Sequence, residues 1–425
     1  MATSLEGVTP SLEGIRGLSI ERLKESVFDV TPYDQAIMLV GVHGVGKSEF
    51  IKTYFENKGY AIITLFLGQM ADSGDLIGLP DRSEVVFTYE GKELRQKITE
   101  FCPPKWWPRD DSVRIVLFLD EFNRGKQEVY QCIMDLALRR QLNGLSLPKE
   151  TRIIAAMNPL DEKYGYQVTE LDPALWDRFN VYGFCPEAKE WIHWAINEKL
   201  HPSVIGFIIK NSIELDPPAD GKIGAIYPSR RSWHRLSNIL KENPSIVNED
   251  KLVIVRELAE GIVGSAATSK FFQYIKNKNK GLNPGTIVTA WFNKVEDIVK
   301  AMDNQSKLAF NAELVIHLEE NEELYFDASS SKQKEKYAYN VYQYLKSIPR
   351  ECMADFYDYV GDAVTKYEKT WSTKLLESNI SGLVNDFISI YHGDTSSVDD
   401  SPPDINDHNG NDGMFDGDIK DILGE

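Results

Sequence analysis

Gly41-Val42-His43-Gly44-Val45-Gly46-Lys47-Ser48 is the stretch that most narrows what this chain can become. It fits G-x-x-x-x-G-K-[ST], a loop whose glycines let backbone N–H groups curl around an anionic polyphosphate. The residues before it, Ala36 to Val40, form an apolar run of strand length; after it, Phe50, Ile51, Tyr54 and Phe55 recur at helical spacing. That strand, loop and helix context is what the motif requires, and the helix N-terminus adds favourable partial charge. Gly41 through Ser48, with Glu49 in the first helical turn, are therefore the candidate ATP-binding residues. Lys47 is the candidate for the β- and γ-phosphates, and Ser48 for Mg²⁺.

Around this loop the pattern is that of an α/β nucleotide-binding domain. Apolar runs Ala61 to Leu67, Ile115 to Leu119 and Ile153 to Met157 alternate with helical segments, as buried parallel strands with helices on both faces would. The third run ends in Asp120-Glu121, the form of a Walker B element. Asp120 can hold the hydration shell of Mg²⁺, and Glu121 can orient water for in-line attack on the γ-phosphate. The fourth run ends in Asn158, whose amide could bond the water or the γ-phosphate; before Pro159 it could equally initiate a turn. Two arginine positions follow, Arg178 in Asp177-Arg178-Phe179 and the pair Arg230-Arg231 before Ser232-Trp233. A guanidinium suits phosphate, although pairing with surface carboxylates is the ordinary alternative.

The order P-loop, Asp-Glu, Asn, Asp-Arg-Phe resembles the AAA+ ATPases. Within them, Asp120-Glu121-Phe122-Asn123-Arg124 and Ala156-Met157-Asn158-Pro159 look like the MoxR-type and dynein-related group. The resemblance covers about residues 30 to 245. It implies a helix-2 insert at about 68–111, Asn158 as the sensor 1 residue and Arg178 as an arginine finger donated to a neighbouring subunit. It implies Arg231 as sensor 2, with Arg230 where the family usually has proline. It further implies a homo-oligomer, commonly a hexameric ring, which remodels a protein client, often with a von Willebrand factor A partner.

At 425 residues the chain should divide into several domains. The reading is an N-terminal extension (1–35) with a short helix around Ile20 to Phe28, the α/β domain (36–185), a helical lid (186–245), a helical C-terminal domain (246–392) and an acidic disordered tail (393–425). The insert, too long to be structureless, should hold a hairpin with some helix. The formal net charge of -18 argues against a protein that coats nucleic acid. Much of that excess lies in the tail, where the acidic side chains from Asp394 to Glu425 face only Lys420. The tail's end, Met414 to Leu423, is either solvated or a partner motif. Four dispersed cysteines, no signal-like segment and no membrane-length apolar run lead to the expectation of a cytoplasmic, soluble chain.

Two alternatives to a protein remodeller stay open. Lys270, Lys276, Lys278 and Lys280 interleave with Phe271, Phe272 and Tyr274, which could be the surface of a nucleic-acid motor, or a solvated helix end over core aromatics. A nucleotide-gated assembly scaffold is the other, though a pure switch would not need Glu121.

Overall fold

The computed structural model describes residues 14–89, 91–159, 171–218, 225–278, 282–366, 371–378 and 380–391. The acidic tail and Lys280 lie outside them. The chain forms two compact units, 1–190 with 216–232 and 191–215 with 233–425.

The first unit is built on a six-stranded, wholly parallel sheet. In chain order its strands are β1 (Gly17–Leu18), β2 (Ala36–Val40), β3 (Ala61–Phe66), β6 (Ile115–Asp120), β9 (Thr151–Met157) and β10 (Phe179–Phe184), lying across the sheet as β1-β10-β2-β9-β6-β3. Strands β4 (Leu79–Tyr89) and β5 (Lys92–Cys102) form one separate antiparallel ribbon, and β7 (Gln141–Leu142) with β8 (Leu145–Ser146) a second. The parallel sheet anticipated from the continuous apolar runs is thus present, and so is the helical carboxyl-terminal region.

Side chains alternate across each strand, so every second residue meets the same layer of helices. Met38 and Val40 of β2, Leu117 and Leu119 of β6, and Ala155 and Met157 of β9 share one core with Val129, Ile133 and Leu136 from helix Gln127–Arg139. Ile37 and Leu39, Val116 and Phe118, and Ile154 and Ala156 share the other with Ile51 and Phe55 from helix Lys47–Asn57. Leu23, Val27 and Phe28 complete this second core. Phe28 and Phe55 pack at 5.1 Å between ring centroids, and Phe50 stacks on Phe184 at 5.4 Å. Each fully buried ring of this kind contributes about 1.5–3 kcal/mol, which anchors the helix that follows the glycine loop. Residues 14–35, read from sequence as an extension, in fact supply edge strand β1 and part of this core.

The insert folds as the long ribbon β4–β5, in register from Leu79 opposite Cys102 to Tyr89 opposite Lys92. Short helix Gly74–Ile77 precedes it. Val85, Phe87, Tyr89 and Leu94 lie on one face of the ribbon and are exposed. Its root turns at Gly78, with φ of 84°, where any side chain would collide with the carbonyl of Cys102. Trp107 and Leu76 tie the root into the first core.

The second unit is helical, from Trp191 onward in helix Ala188–Asn197 through Ser381–Tyr391. Its aromatics are core: Phe271 and Trp233 are fully buried, and Phe207 lies 5.2 Å from each of them. Lys278 pairs with buried Glu313 at 2.9 Å, Lys270 pairs with Glu214, and Tyr274 donates to Glu313 at 3.4 Å. No helix among the described residues is long and apolar enough to cross a membrane.

Candidate active site

Strands β2, β6 and β9 end at one level, because Val40 pairs with Met157 and Leu119 with Ala155. The residues that follow each strand therefore emerge together at the carboxyl edge of the sheet, where open α/β folds hold ligands.

The loop after β2 takes its shape from its glycines. Gly44 and Gly46 have φ of 71° and 103°, a left-handed backbone that side chains with a Cβ disfavour. Gly41 is tight for another reason: a Cβ there would come within 2.9 Å of the Phe184 carbonyl. Helix Lys47–Asn57 then starts directly, its N-terminal N–H groups unpaired by any side-chain cap.

Lys47 is buried, and its Nζ donates to the carbonyls of Gly41 and Val42 at 2.6 and 3.0 Å and to Oδ1 of Asn158 at 3.1 Å. Burial, with a smaller contribution from Arg231, lowers its pKa to about 8, while the Asp120 carboxylate opposes that shift. Ser48 Oγ donates to Asp120 Oδ2 at 2.7 Å. These two bonds bring the glycine loop, the acidic pair and the strand-end amide into one cluster. The hydroxyl and carboxylate are oxygen donors of the kind Mg²⁺ takes, so the donor set fits that ion. His43, on the exposed side of the loop, has its pKa lowered by partial desolvation and by the charges of Lys47 and Arg231.

Glu121 follows Asp120 with φ of 52°, and its side chain meets Arg124, Nη1 to Oε1 at 3.2 Å. Asn123 is fully buried and donates Nδ2 to the backbone oxygen of Asn158 at 2.9 Å. Sequence reasoning quoted Asn123 and Arg124 without giving either a role. Their signal was available: two polar residues directly after an acidic strand end, one of them in a stretch that buries Phe122.

The two adjacent arginines separate cleanly. Arg230 is buried, bonds Asp216 through two contacts and donates Nη2 to the Pro186 carbonyl at 2.6 Å. Arg231 is exposed, its backbone N–H donates to the Gly44 carbonyl at 3.3 Å, and its charge acts on Lys47 and His43. Ser229 also packs against Gly44, where a Cβ would lie 3.1 Å from its Oγ.

Arg178 is not in the cluster. It precedes β10, whose Phe179 pairs with Ala36, the first residue of β2, whereas Gly183 pairs with Val40 beside the glycine loop. At ~3.3 Å per residue, the intervening strand holds Arg178 roughly 15 Å from its own phosphate loop. Its Nη1 donates to the Ala174 carbonyl within its own helix Pro173–Trp176 segment.

Residues 36–179 match the family described as AAA domain (dynein-related subfamily). No curated protein matches the chain. Among solved structures, the Thermotoga maritima RuvB Holliday junction branch migration motor is 14% identical, with a TM-score of 0.31, over 59% of this chain and 72% of its own. NtrX from Brucella abortus in complex with ADP is 14% identical, with a TM-score of 0.33, over 77% of this chain and 67% of its own. Its complex with ATP is 13% identical, with a TM-score of 0.32, over 71% and 62%. Likenesses this distant add nothing to what the strand order states. Over residues 36–179 the chain is thus similar to that family, and its parallel six-stranded sheet with the glycine loop after β2 has the AAA+ P-loop fold.

Proposed function

We propose that the protein hydrolyses ATP at sites shared between copies of the chain and uses the cycle to remodel a protein client, as a MoxR-like ATPase. The observation that carries the ATPase reading is the pair of cross-strand bonds, Lys47 to Asn158 and Ser48 to Asp120, which gather phosphate-binding, metal-binding and water-orienting residue types at one edge. In this reading Gly41 through Glu49 cradle the phosphates, and Lys47 exchanges its loop carbonyls for phosphate oxygens. Ser48 and Asp120 would hold Mg²⁺, which would supply positive charge to neutralise the polyphosphate. Glu121 orients the attacking water, Asn158 holds the γ-phosphate side of the site, and Arg231 supplies the sensor 2 charge.

The register of β10 supports the shared site. A cation at the far end of the strand cannot reach its own loop without unfolding β10, so Arg178 serves a neighbour, and a closed ring, hexameric in this reading, gives every loop such a neighbour. Client binding is assigned to the apolar face of ribbon β4–β5, and a von Willebrand factor A partner is compatible with it. The lid (186–245) and helical domain (246–392) are kept as functional divisions. Four free cysteines accord with a reducing, cytoplasmic setting.

The nucleic-acid alternative draws less support from the residues that suggested it, since Lys270 and Lys278 pair with carboxylates and Phe271 is core. Glu121→Gln tests the main reading. It should bind ATP normally and lower turnover by about 10²–10⁴; unchanged turnover would remove Glu121 from the chemistry.

A further inference from the structure

Asn158 stands just past the end of its strand. The last pair between β9 and β6 is Ala155 with Leu119, and the last between β9 and β2 is Met157 with Val40. The next residue, Pro159, has no N–H and disfavours helical backbone at Asn158. The peptide that joins the two can therefore be tethered by a hydrogen bond only through the Asn158 carbonyl. Among the described residues one group takes that carbonyl, the Nδ2 of Asn123, at 2.9 Å. A side chain thus continues the contact between β6 and β9 where their backbone ladder has stopped.

The turn that carries Asn123, Phe122–Arg124, is anchored from below. Phe122 is fully buried against the rings of Phe179 and Tyr130, at 5.2 and 5.6 Å between centroids, and its carbonyl accepts from the Tyr130 hydroxyl at 2.7 Å. Asn123 is itself fully buried, and its Oδ1 has no partner among the described residues. A buried amide oxygen without a donor costs stability that an aliphatic side chain of similar size would not. What the amide adds at this position is its bond to Asn158.

The side chain of Asn158 meets the phosphate loop, where its Oδ1 accepts from Lys47 Nζ at 3.1 Å. Its Nδ2 is then the atom left to donate to a γ-phosphate oxygen or to the attacking water. We propose that Asn123 is a positioning residue for Asn158: by holding the Asn158–Pro159 peptide it fixes the direction in which the Asn158 amide points. This rests on the ATPase reading above. Asn123 touches neither nucleotide nor metal in this scheme, and acts only through Asn158. Displacing such a group by about 1 Å costs roughly 10²-fold in rate.

The test is steady-state ATP turnover and ADP binding of the full chain in wild type, E121Q, N158A, N123L, N123D and the N123L/N158A double variant. N123L removes the donor together with the unpartnered oxygen at similar volume. It should lower kcat by about 10- to 100-fold, with KM for ATP and affinity for ADP within about twofold of wild type. In the N158A background the same substitution should add nothing. N123D cannot donate as a carboxylate but can as the acid, and burial keeps an Asp protonated to higher pH. Its turnover relative to wild type should therefore recover as pH falls from about 8 to about 6, whereas that of N123L should not. Wild-type kcat in N123L, an equal loss of kcat and ADP affinity, or an undiminished loss in the N158A background overturns the positioning role and leaves the ATPase reading in place. Wild-type turnover no higher than that of E121Q overturns both. Should N123L fail to fold, N123D decides, and absence of its recovery at low pH overturns the proposal.

Discussion

Arg230 grips Asp216 through two bonds, Nε to Oδ1 at 3.0 Å and Nη2 to Oδ2 at 2.9 Å, while Arg231 beside it stays exposed with its backbone on the glycine loop. Neighbours of one type therefore predict opposite phenotypes. Arg230→Ala breaks an ion pair whose cation is buried and strips donors from the Pro186 carbonyl. It should cost about 2–3 kcal/mol of unfolding free energy in urea, below the range for wholly buried pairs because Asp216 is partly exposed. Arg231→Ala should leave the urea midpoint unchanged and weaken nucleotide binding. The reverse assignment would show in a single pair of titrations.

Lys47 makes stability and affinity respond oppositely to pH. The unfolded chain keeps this proton to the ordinary value of 10.5, whereas the folded chain releases it near 8. Between those values the unfolded state binds more protons, so this group makes the nucleotide-free protein more stable as pH rises. Polyphosphate needs the ammonium, so affinity should fall across the same window, by up to ~10-fold per pH unit. Calorimetry in two buffers of different ionisation enthalpy, within that window, should register proton uptake on binding. No uptake would mean that Lys47 is already charged there.

Arg178 and Lys47 act in different copies on the proposed reading. Arg178→Ala and Lys47→Ala should each lower turnover by about 10³ or more when pure. Mixing them should restore part of it, since some interfaces then join an intact loop to an intact arginine. Absence of rescue at every ratio would return Arg178 to a structural role within its own helix end.

Gly78 should matter to the ribbon more than to the sheet. Alanine at its positive φ costs about 1–3 kcal/mol and meets the Cys102 carbonyl directly. Hydrogen exchange in residues 79–102 should accelerate while amides of β2, β6 and β9 stay protected. Equal protection throughout would show that the ribbon is held elsewhere.

The parallel sheet was legible because its central strands carry unbroken apolar runs, Ala36 to Val40, Ile115 to Leu119 and Ile153 to Met157, as burial on both faces requires. β1 and β10 were not: Gly17-Leu18 is too short for any periodicity, and Phe179 to Phe184 mixes Asn180, Tyr182 and Gly183 into its run. The small β7–β8 ribbon carried a readable signal that went unread, Asn143-Gly144, both with positive φ. In the site, Lys47, Ser48, Asp120 and Asn158 stand where motif spacing brought them together on paper. The contact between Arg124 and Glu121 did not show, because a side chain folding back three residues leaves no pattern in sequence. Arg230 could not be told from Arg231 until Asp216, fourteen residues earlier, was seen to claim one of them.

The five residue pairs between β2 and β10 work as a ruler. On the proposed reading they keep cradle and finger far enough apart that one chain holds two halves of different sites. An open row of copies then always has one site fewer than it has chains, and only closure makes the counts equal. Turnover per chain should therefore fall on dilution, and each loop-defective copy should silence its own site while still serving its neighbour's.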